Sequence, residues 1–532
     1  MKSLMKKVFA AAAAIATVFG LAATTVATAN AAGDNATLTV STTDAKFAGK
    51  TVNAYKMFSA TVSGDGQAVS YTLTDEWNPF FKNSTASGLT DVTDANINDK
   101  ANDYVSKLTG NALVAFATKA SNWAQTKANN ITVGATATVS KNAVTDGKYT
   151  ATFTGLDYGY YVVAVPGATL ANASSQYATL VSVHSTKVDA DIKGDLPTVD
   201  KKVQVDGTGK DATDAKIGDT LTFTLTSTIP DMSAYDTYTF NFKDTLSKGL
   251  TFGQVKSVKV ENVTLTENTD YTVTTPTASN NNTLTVAMKD FKTKQQANAG
   301  KKITVTYTAT LNKDAVVGGA GNVNSAKIQY SNNPSTNGTG ESEPSKVRVF
   351  TYGFTVDKYT GDQYTDAATR LAGAKFTLAP KNGDPMSFVQ VSAGSATANA
   401  VYRVAKAGET GTTTITTPEN GKVDFQGLKN GEYTLTETKA PAGYNKLASA
   451  IGVKVNGQNN GTDTTNATVT ITYNNDNGND YNQTASNGVI PVQNKSGAIL
   501  PGTGGMGTIA FTVIGVLVIA LGVAWTLKRK NA

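Results

Sequence analysis

The sequence predicts an all-β protein: tandem immunoglobulin-like sandwich domains with a helical insertion in the first. Three observations carry this. The chain is rich in Thr, Val, Asn and Gly while Pro is scarce, with 13 in 532 residues. Short runs such as TLTFTLTSTI (220–229) and KITVTYTATL (302–311) alternate at the period of two that a half-buried strand requires. The length suits two to four domains of roughly 100–200 residues.

The N-terminus joins a basic start (Lys2, Lys6, Lys7) to an apolar run from Val8 to about Leu21 and small residues ending at Ala29-Asn30-Ala31. That order is a secretory signal peptide, residues 1–31, with Ala27-Thr28-Ala29 an alternative cleavage site. The first module, 32–190, is interrupted from about Asp94 to Asn129. There Ile97, Tyr104, Val105, Leu108, Leu113, Phe116 and Trp123 recur at helical intervals, predicting one or two helices. Strands resume through YTATFTGLDYGYYVVAVPG and ATLVSVHSTK, and KGDLPTVD (193–200) marks a junction. A second module, 191–348, ends in SNNPSTNGTGESEPSK, a composition suited to a turn or linker. The third spans 349–499. Residues 500–532 read LPGTGG, then an apolar run from Met506 to Leu527 of membrane-spanning length, then Lys528-Arg529-Lys530.

The net charge of +6 resides in those two ends, which carry six basic residues and no acid, so the body of the chain is balanced. No basic stripe recommends nucleic acid. An exported chain is free to form disulfides, yet this one has no cysteine. With His184 as its single histidine it also lacks the makings of a zinc site or a Ser-His-Asp hydrolase. Asn474–Asp480 (NNDNGND) lacks the final glutamate of a calcium loop and reads as a hairpin. No metal or other cofactor is expected.

Strand parity exposes polar residues on apolar faces. In YTLTETK, Glu437 shares a face with Tyr433 and Leu435; in FTVDK, Lys358 joins Phe354 and Val356; in VIPVQN, Asn494 joins Ile490 and Val492. The second module repeats the set: Lys201 with Val199 and Val203, Asp244 with Phe240 and Phe242, Asn324 with Ala326, Ile328 and Tyr330. Lys202 is adjacent, and register alone decides between the two lysines. Burial disfavours the charged forms of acid and amine alike. A neutral amine is a nucleophile, and a carboxylic acid can polarise an amide carbonyl. Lys, Asn and an acid together could therefore form an intramolecular isopeptide bond with loss of ammonia. The alternative is a buried salt bridge beside an asparagine that satisfies backbone groups.

LPGTGG followed by an apolar span and a basic tail resembles the cell-wall sorting signal of Gram-positive surface proteins. YTLTETKAPAGY resembles the E-box of sortase-assembled pilins. FTVDK, LAGAKFTL and GLKNGEYTLTETKAPAGY through VQN resemble a Cna protein B-type domain, while TVDKKV, NFKD and NSAKIQYSNNP resemble the middle module of pilus backbone subunits. The chain is thus similar to the major pilins of Gram-positive bacteria.

The resemblance implies a Lys358–Asn494 bond assisted by Glu437 and a Lys201–Asn324 bond assisted by Asp244. It implies sortase recognition at Leu500, Pro501, Thr503 and Gly504, with cleavage after Thr503. The acceptor amine would be Lys187, in VSVHSTK, which resembles the pilin motif Val-x-Val-Tyr-Pro-Lys with His184-Ser185-Thr186 in place of the Tyr-Pro element; Lys193 is the alternative. Implied partners are sortase, identical subunits, minor pilins, peptidoglycan and a host glycan or matrix receptor. The expected location is a surface pilus covalently attached to the wall, with a transiently membrane-held precursor. The chain would be a sortase substrate, not an enzyme with turnover. A wall-anchored monomeric adhesin is the rival reading.

Overall fold

A computed structural model of the chain describes residues 35–63, 68–168, 178–192, 194–233, 235–332, 337–362, 369–458, 467–475, 480–497 and 506–530. The signal peptide, the LPGTGG motif and Lys193 lie outside the described residues. Among the described residues, six sheets form three successive pairs.

The first pair comprises a three-stranded sheet, in which Ala36–Thr42 lies between Tyr149–Leu156 and Lys187–Asp191, and a five-stranded sheet centred on Thr51–Val62 and Gly159–Ala164. Two helices, Ile97–Ser106 and Gly110–Gln125, stand in the expected insertion. Their innermost positions belong largely to Ala101, Ala117, Ala120 and Ala124 as well as to Ile97, Val105 and Phe116. Leu108, Leu113, Tyr104 and Trp123 pack around that seam, partly buried. Small residues on the facing stripe let a helix approach its neighbours closely, so the large residues flank it. Two shorter helices, Asn78–Lys82 and Ser84–Ser87, were not expected. Pro79 begins the first, the Asn83 side chain caps the second at Ala86 N, 3.0 Å, and Gly88 ends it at φ 85°.

The second pair has six and seven strands. In Thr220–Thr228 the residues Phe223, Leu225 and Ser227 point inward, while Thr220 and Thr226 meet Thr310 and Thr304 of Lys302–Leu311 by hydroxyl contacts of 2.9 and 3.2 Å. Those cross-strand threonine pairs are why the alternation reads so cleanly in sequence. Part of the polar stretch at the module's end is built into the sheet: Thr339–Glu341 pairs antiparallel with Asn322–Ser331. Ser345–Phe350 adds a further strand, and only Thr351 separates it from Tyr352–Tyr359, which opens the third pair. Thr351 is buried and donates to Leu428 O at 3.0 Å. Asp214 of the second module accepts from Asn430 N (2.7 Å) and Asn430 Nδ2 (3.1 Å) of the third. These contacts make the joint a packed one, with little slack for bending.

The third pair has five and six strands. Tyr352–Tyr359 lies beside Lys422–Leu428 and, in parallel, Val489–Gln493, the module's last strand. Gly431–Lys439, the E-box strand, belongs to the facing sheet. The C-terminal tail is helical from Met506 to Lys530. Among the described residues no helix is long and apolar enough to cross a membrane. The expected transmembrane span is therefore not supported.

Candidate functional site: two buried lysine, acid and asparagine clusters

The parity rule brings both predicted sets together. Lys201, Asp244, Asn324, Lys358, Glu437 and Asn494 are each at most 1% exposed. A lysine with no access to water is costly to hold as an ammonium, so each must be read with its surroundings.

In the third module Lys358 pairs in register with Val492, and Asn494 follows two residues later, so both side chains leave the same face of adjacent parallel strands. The Asn494 N–H donates to Tyr359 O at 2.9 Å and fixes that diagonal. Glu437 enters from the facing sheet. Its Oε2 accepts from Asn494 Nδ2 (3.0 Å) and Leu447 N (2.8 Å), while its Oε1 faces Lys358 Nζ at 3.4 Å. Lys358 Nζ also donates to Val492 O at 3.2 Å, and Asn494 Nδ2 to Asn445 O at 2.6 Å. Burial pulls the Lys358 ammonium down to about 8, against the opposing pull of Glu437.

The second module divides the same chemistry differently. Lys201 sits on Asp200–Val205 in one sheet; Asp244 and Asn324 sit on neighbouring strands of the other, Phe240–Leu246 and Asn322–Ser331. Asp244 is opposite Ala326 and Leu246 opposite Asn324, which places the acid and the amide on one face. Lys201 Nζ contacts Asp244 Oδ2 directly and lies 5.1 Å from the ring centres of Phe223 and Tyr307. Burial lowers its basicity more than Asp244 restores it. Lys202 points the other way, half-exposed, with Asp200 at 3.3 Å and Asp211 at 2.6 Å.

Sequence reasoning missed Tyr307. Its hydroxyl receives Lys201 Nζ (2.9 Å) and Asn324 Nδ2 (2.6 Å) and donates to Asp244 Oδ2 (2.6 Å). The signal was present in KITVTYTATL, where Tyr307 alternates with Ile303, Val305, Ala309 and Leu311 on the inner face; a hydroxyl there needs a partner.

Both clusters leave the same two kinds of atom without a hydrogen bond: one carboxyl oxygen, Asp244 Oδ1 or Glu437 Oε1, and the amide oxygen, Asn324 Oδ1 or Asn494 Oδ1. A buried amide oxygen left in this way costs about 1–3 kcal/mol, whereas Glu437 Oε1 still faces the Lys358 ammonium at 3.4 Å. Among the described residues no group of His, Cys, Asp or Glu could hold a metal ion.

Lys187 is exposed and opens the strand Lys187–Asp191, which runs parallel to Ala36–Thr42 with Thr37 as its partner. His184 Nδ1 lies 2.9 Å from Ser182 Oγ.

Residues 217–334 match the family model described as Gram-positive pilin backbone subunit 2, Cna-B-like domain, and residues 362–470 match that of a prealbumin-like fold domain. The trypsin-resistant surface T6 protein of Streptococcus pyogenes serotype M6 is 26% identical over 279 residues, covering 47% of this chain. The match spans 44% of that relative, less than half its length. Among solved structures, the T6 backbone pilin of S. pyogenes is 18% identical, with 87% of this chain and 99% of the other covered at a TM-score of 0.47. The full-length major pilin SpaD of Corynebacterium diphtheriae is 19% identical, with 87% and 98% covered at 0.40. The second and third modules thus each contain a match to a family model, that of the second being a Gram-positive pilin backbone domain.

Proposed function

We propose that the chain is the shaft subunit of a covalent surface pilus, self-linked by Lys201–Asn324 and Lys358–Asn494 isopeptide bonds and joined head to tail by a sortase between Thr503 and Lys187. One observation carries the self-linking: in each cluster a buried lysine of lowered basicity meets an acid and an asparagine whose amide oxygen has no partner. The lysine passes a proton to the carboxylate. The acid's O–H is then the group that can satisfy the orphaned amide oxygen and draw charge from its carbon. The neutral Nζ attacks that carbon, a C–N bond forms and the original C–N bond breaks; the amide nitrogen takes the acid's proton and one further proton of the amine and leaves as ammonium. Asp244 and Glu437 end as carboxylates, as they began. The reaction happens once per bond and has no turnover.

Polymerisation rests on the sorting motif, Leu500, Pro501, Thr503 and Gly504, and on the exposed position of Lys187 at the close of the first module. Identical subunits and a sortase are the partners this needs. Wall attachment to peptidoglycan, minor pilins and a host glycan or matrix receptor complete the proposal. Wall extracts probed with antibody to the subunit should show a high-mass ladder that collapses with Lys187→Ala. A single band from the native strain would leave the monomeric adhesin. Intact mass of the processed native chain should fall short by about 34 Da, one ammonia of about 17 Da for each bond.

A further inference from the structure

We infer that Tyr307 is a catalytic residue of the second module's cross-link: it carries the proton between Asp244 and the leaving nitrogen of Asn324. The inference rests on the cross-link reading above and deepens it for one site.

Besides their sheet arrangement, the two clusters differ in the reach of the acid. Glu437 hydrogen-bonds the Asn494 amide nitrogen itself, at 3.0 Å. Aspartate is one methylene shorter, and among the described contacts none joins Asp244 to Asn324. The Tyr307 hydroxyl fills that gap, 2.6 Å from each. A phenol has one O–H and two lone pairs. Here the O–H goes to Asp244, and the lone pairs receive Lys201 and Asn324, so its capacity is fully used. The side chain is completely buried, stacked on Phe223 with ring centres 5.3 Å apart. Burial, reinforced by the neighbouring Asp244, keeps the phenol neutral across the physiological range. It therefore serves as a relay and not as a base in its own right.

The step balances as follows. Lys201 gives one proton to Asp244 through their direct contact. Nζ attacks Asn324 Cγ. As the tetrahedral centre collapses, Tyr307 gives its proton to the departing nitrogen and takes the one held by Asp244. The second amine proton follows the same path to the same nitrogen, which departs as ammonium and leaves carboxylate and phenol restored.

The test uses the full chain, pulse-synthesised and digested at intervals, with the cross-linked Lys201–Asn324 and Lys358–Asn494 peptides quantified by mass spectrometry. Tyr307→Phe should close the second-module bond ~100-fold more slowly, within the range for loss of positioned acid–base help. The Lys358–Asn494 bond should close at the native rate, which reports correct folding of the chain. Asp244→Glu combined with Tyr307→Phe should recover most of the lost rate, because the longer acid enters the space the hydroxyl vacates and touches the amide as Glu437 does. Closure of Tyr307→Phe at the native rate would overturn the relay and leave the bond standing. Slow closure without rescue by glutamate would reduce Tyr307 to packing and also overturn it. A native chain lacking the Lys201–Asn324 peptide, or losing water to give a Lys201–Asp244 amide, would sink the underlying cross-link instead.

Discussion

The second and third modules hold the same residue classes in different frames. In the third, Lys358 and Asn494 lie on neighbouring strands of one sheet and the acid crosses the sandwich to meet them. In the second, lysine stands alone on its sheet, with acid and amide together on the other. A bond in the third module would staple its first strand to its last. In the second it would pin sheet to sheet and leave Ser345–Phe350, which comes after Asn324, outside the closed loop. One chemistry thus gives two mechanical elements.

Loss of either bond is the largest expected effect. Each closes a loop of more than a hundred residues, worth about 5 kcal/mol in the chain-entropy picture. Asp244→Ala and Glu437→Ala should therefore destabilise their modules comparably in denaturant, while each removes one ammonia deficit from the mass. Under tension they should diverge. In the native chain the segment from Asn324 to Phe350 can peel from the second module and yield roughly 90 Å of extended chain. The third module has no such segment between Lys358 and Asn494. Single-molecule pulling should show that one short release in the native chain and a longer one added by Glu437→Ala. Release from the native third module would erase the distinction.

The next effect isolates the charge that the third module must bury before its bond forms. In Asn494→Ala the bond cannot form and Lys358 stays titratable. Its folded-state value of about 8 lies below the ordinary value of 10.5, so between them the folded state binds fewer protons than the unfolded. Stability must then rise with pH across that window, and the full burial cost is felt below pH 8. Asn494→Ala should gain about 3 kcal/mol from pH 8 to 10.5 relative to Lys358→Met/Asn494→Ala, in urea titrations at each pH. The native chain, its Lys358 an amide, should lack this increment. An equal gain there would mean that the amine is still free.

Much of this was legible because a strand's period of two leaves little choice. Once Leu435 and Tyr433 face the core, Glu437 must follow them, and Lys358, Asn494, Lys201, Asp244 and Asn324 are fixed in the same way. Parity says which face a residue takes, yet it is silent on which sheet a strand joins. The sheet-to-sheet geometry of Lys201 and Asp244 therefore had to come from the fold. Tyr307 escaped because an aromatic on an inner face reads as core, and its hydroxyl shows its purpose only when three partners converge on it. The short helices around Pro79 and Asn83 escaped because two turns offer too few residues to establish a period. The alanine seam of Gly110–Gln125 was hidden behind the larger residues that flank it.

Lys202 gives the smallest effect and the sharpest check on register. It differs from Lys201 only by one position, which in a strand is the opposite face. Its ammonium meets Asp200 and Asp211 with the side chain still 31% exposed, so water screens both pairs. Exposed ion pairs of this kind contribute about 0–1 kcal/mol. Lys202→Ala should accordingly lower stability by no more than that and leave the mass deficit of both bonds intact, whereas Lys201→Ala should remove one. A lost ammonia deficit in Lys202→Ala would mean that the strand Asp200–Val205 reacts in the other register. In that case Lys202 would be the amine that meets Asp244 and Tyr307, and Val203 would turn away from the core.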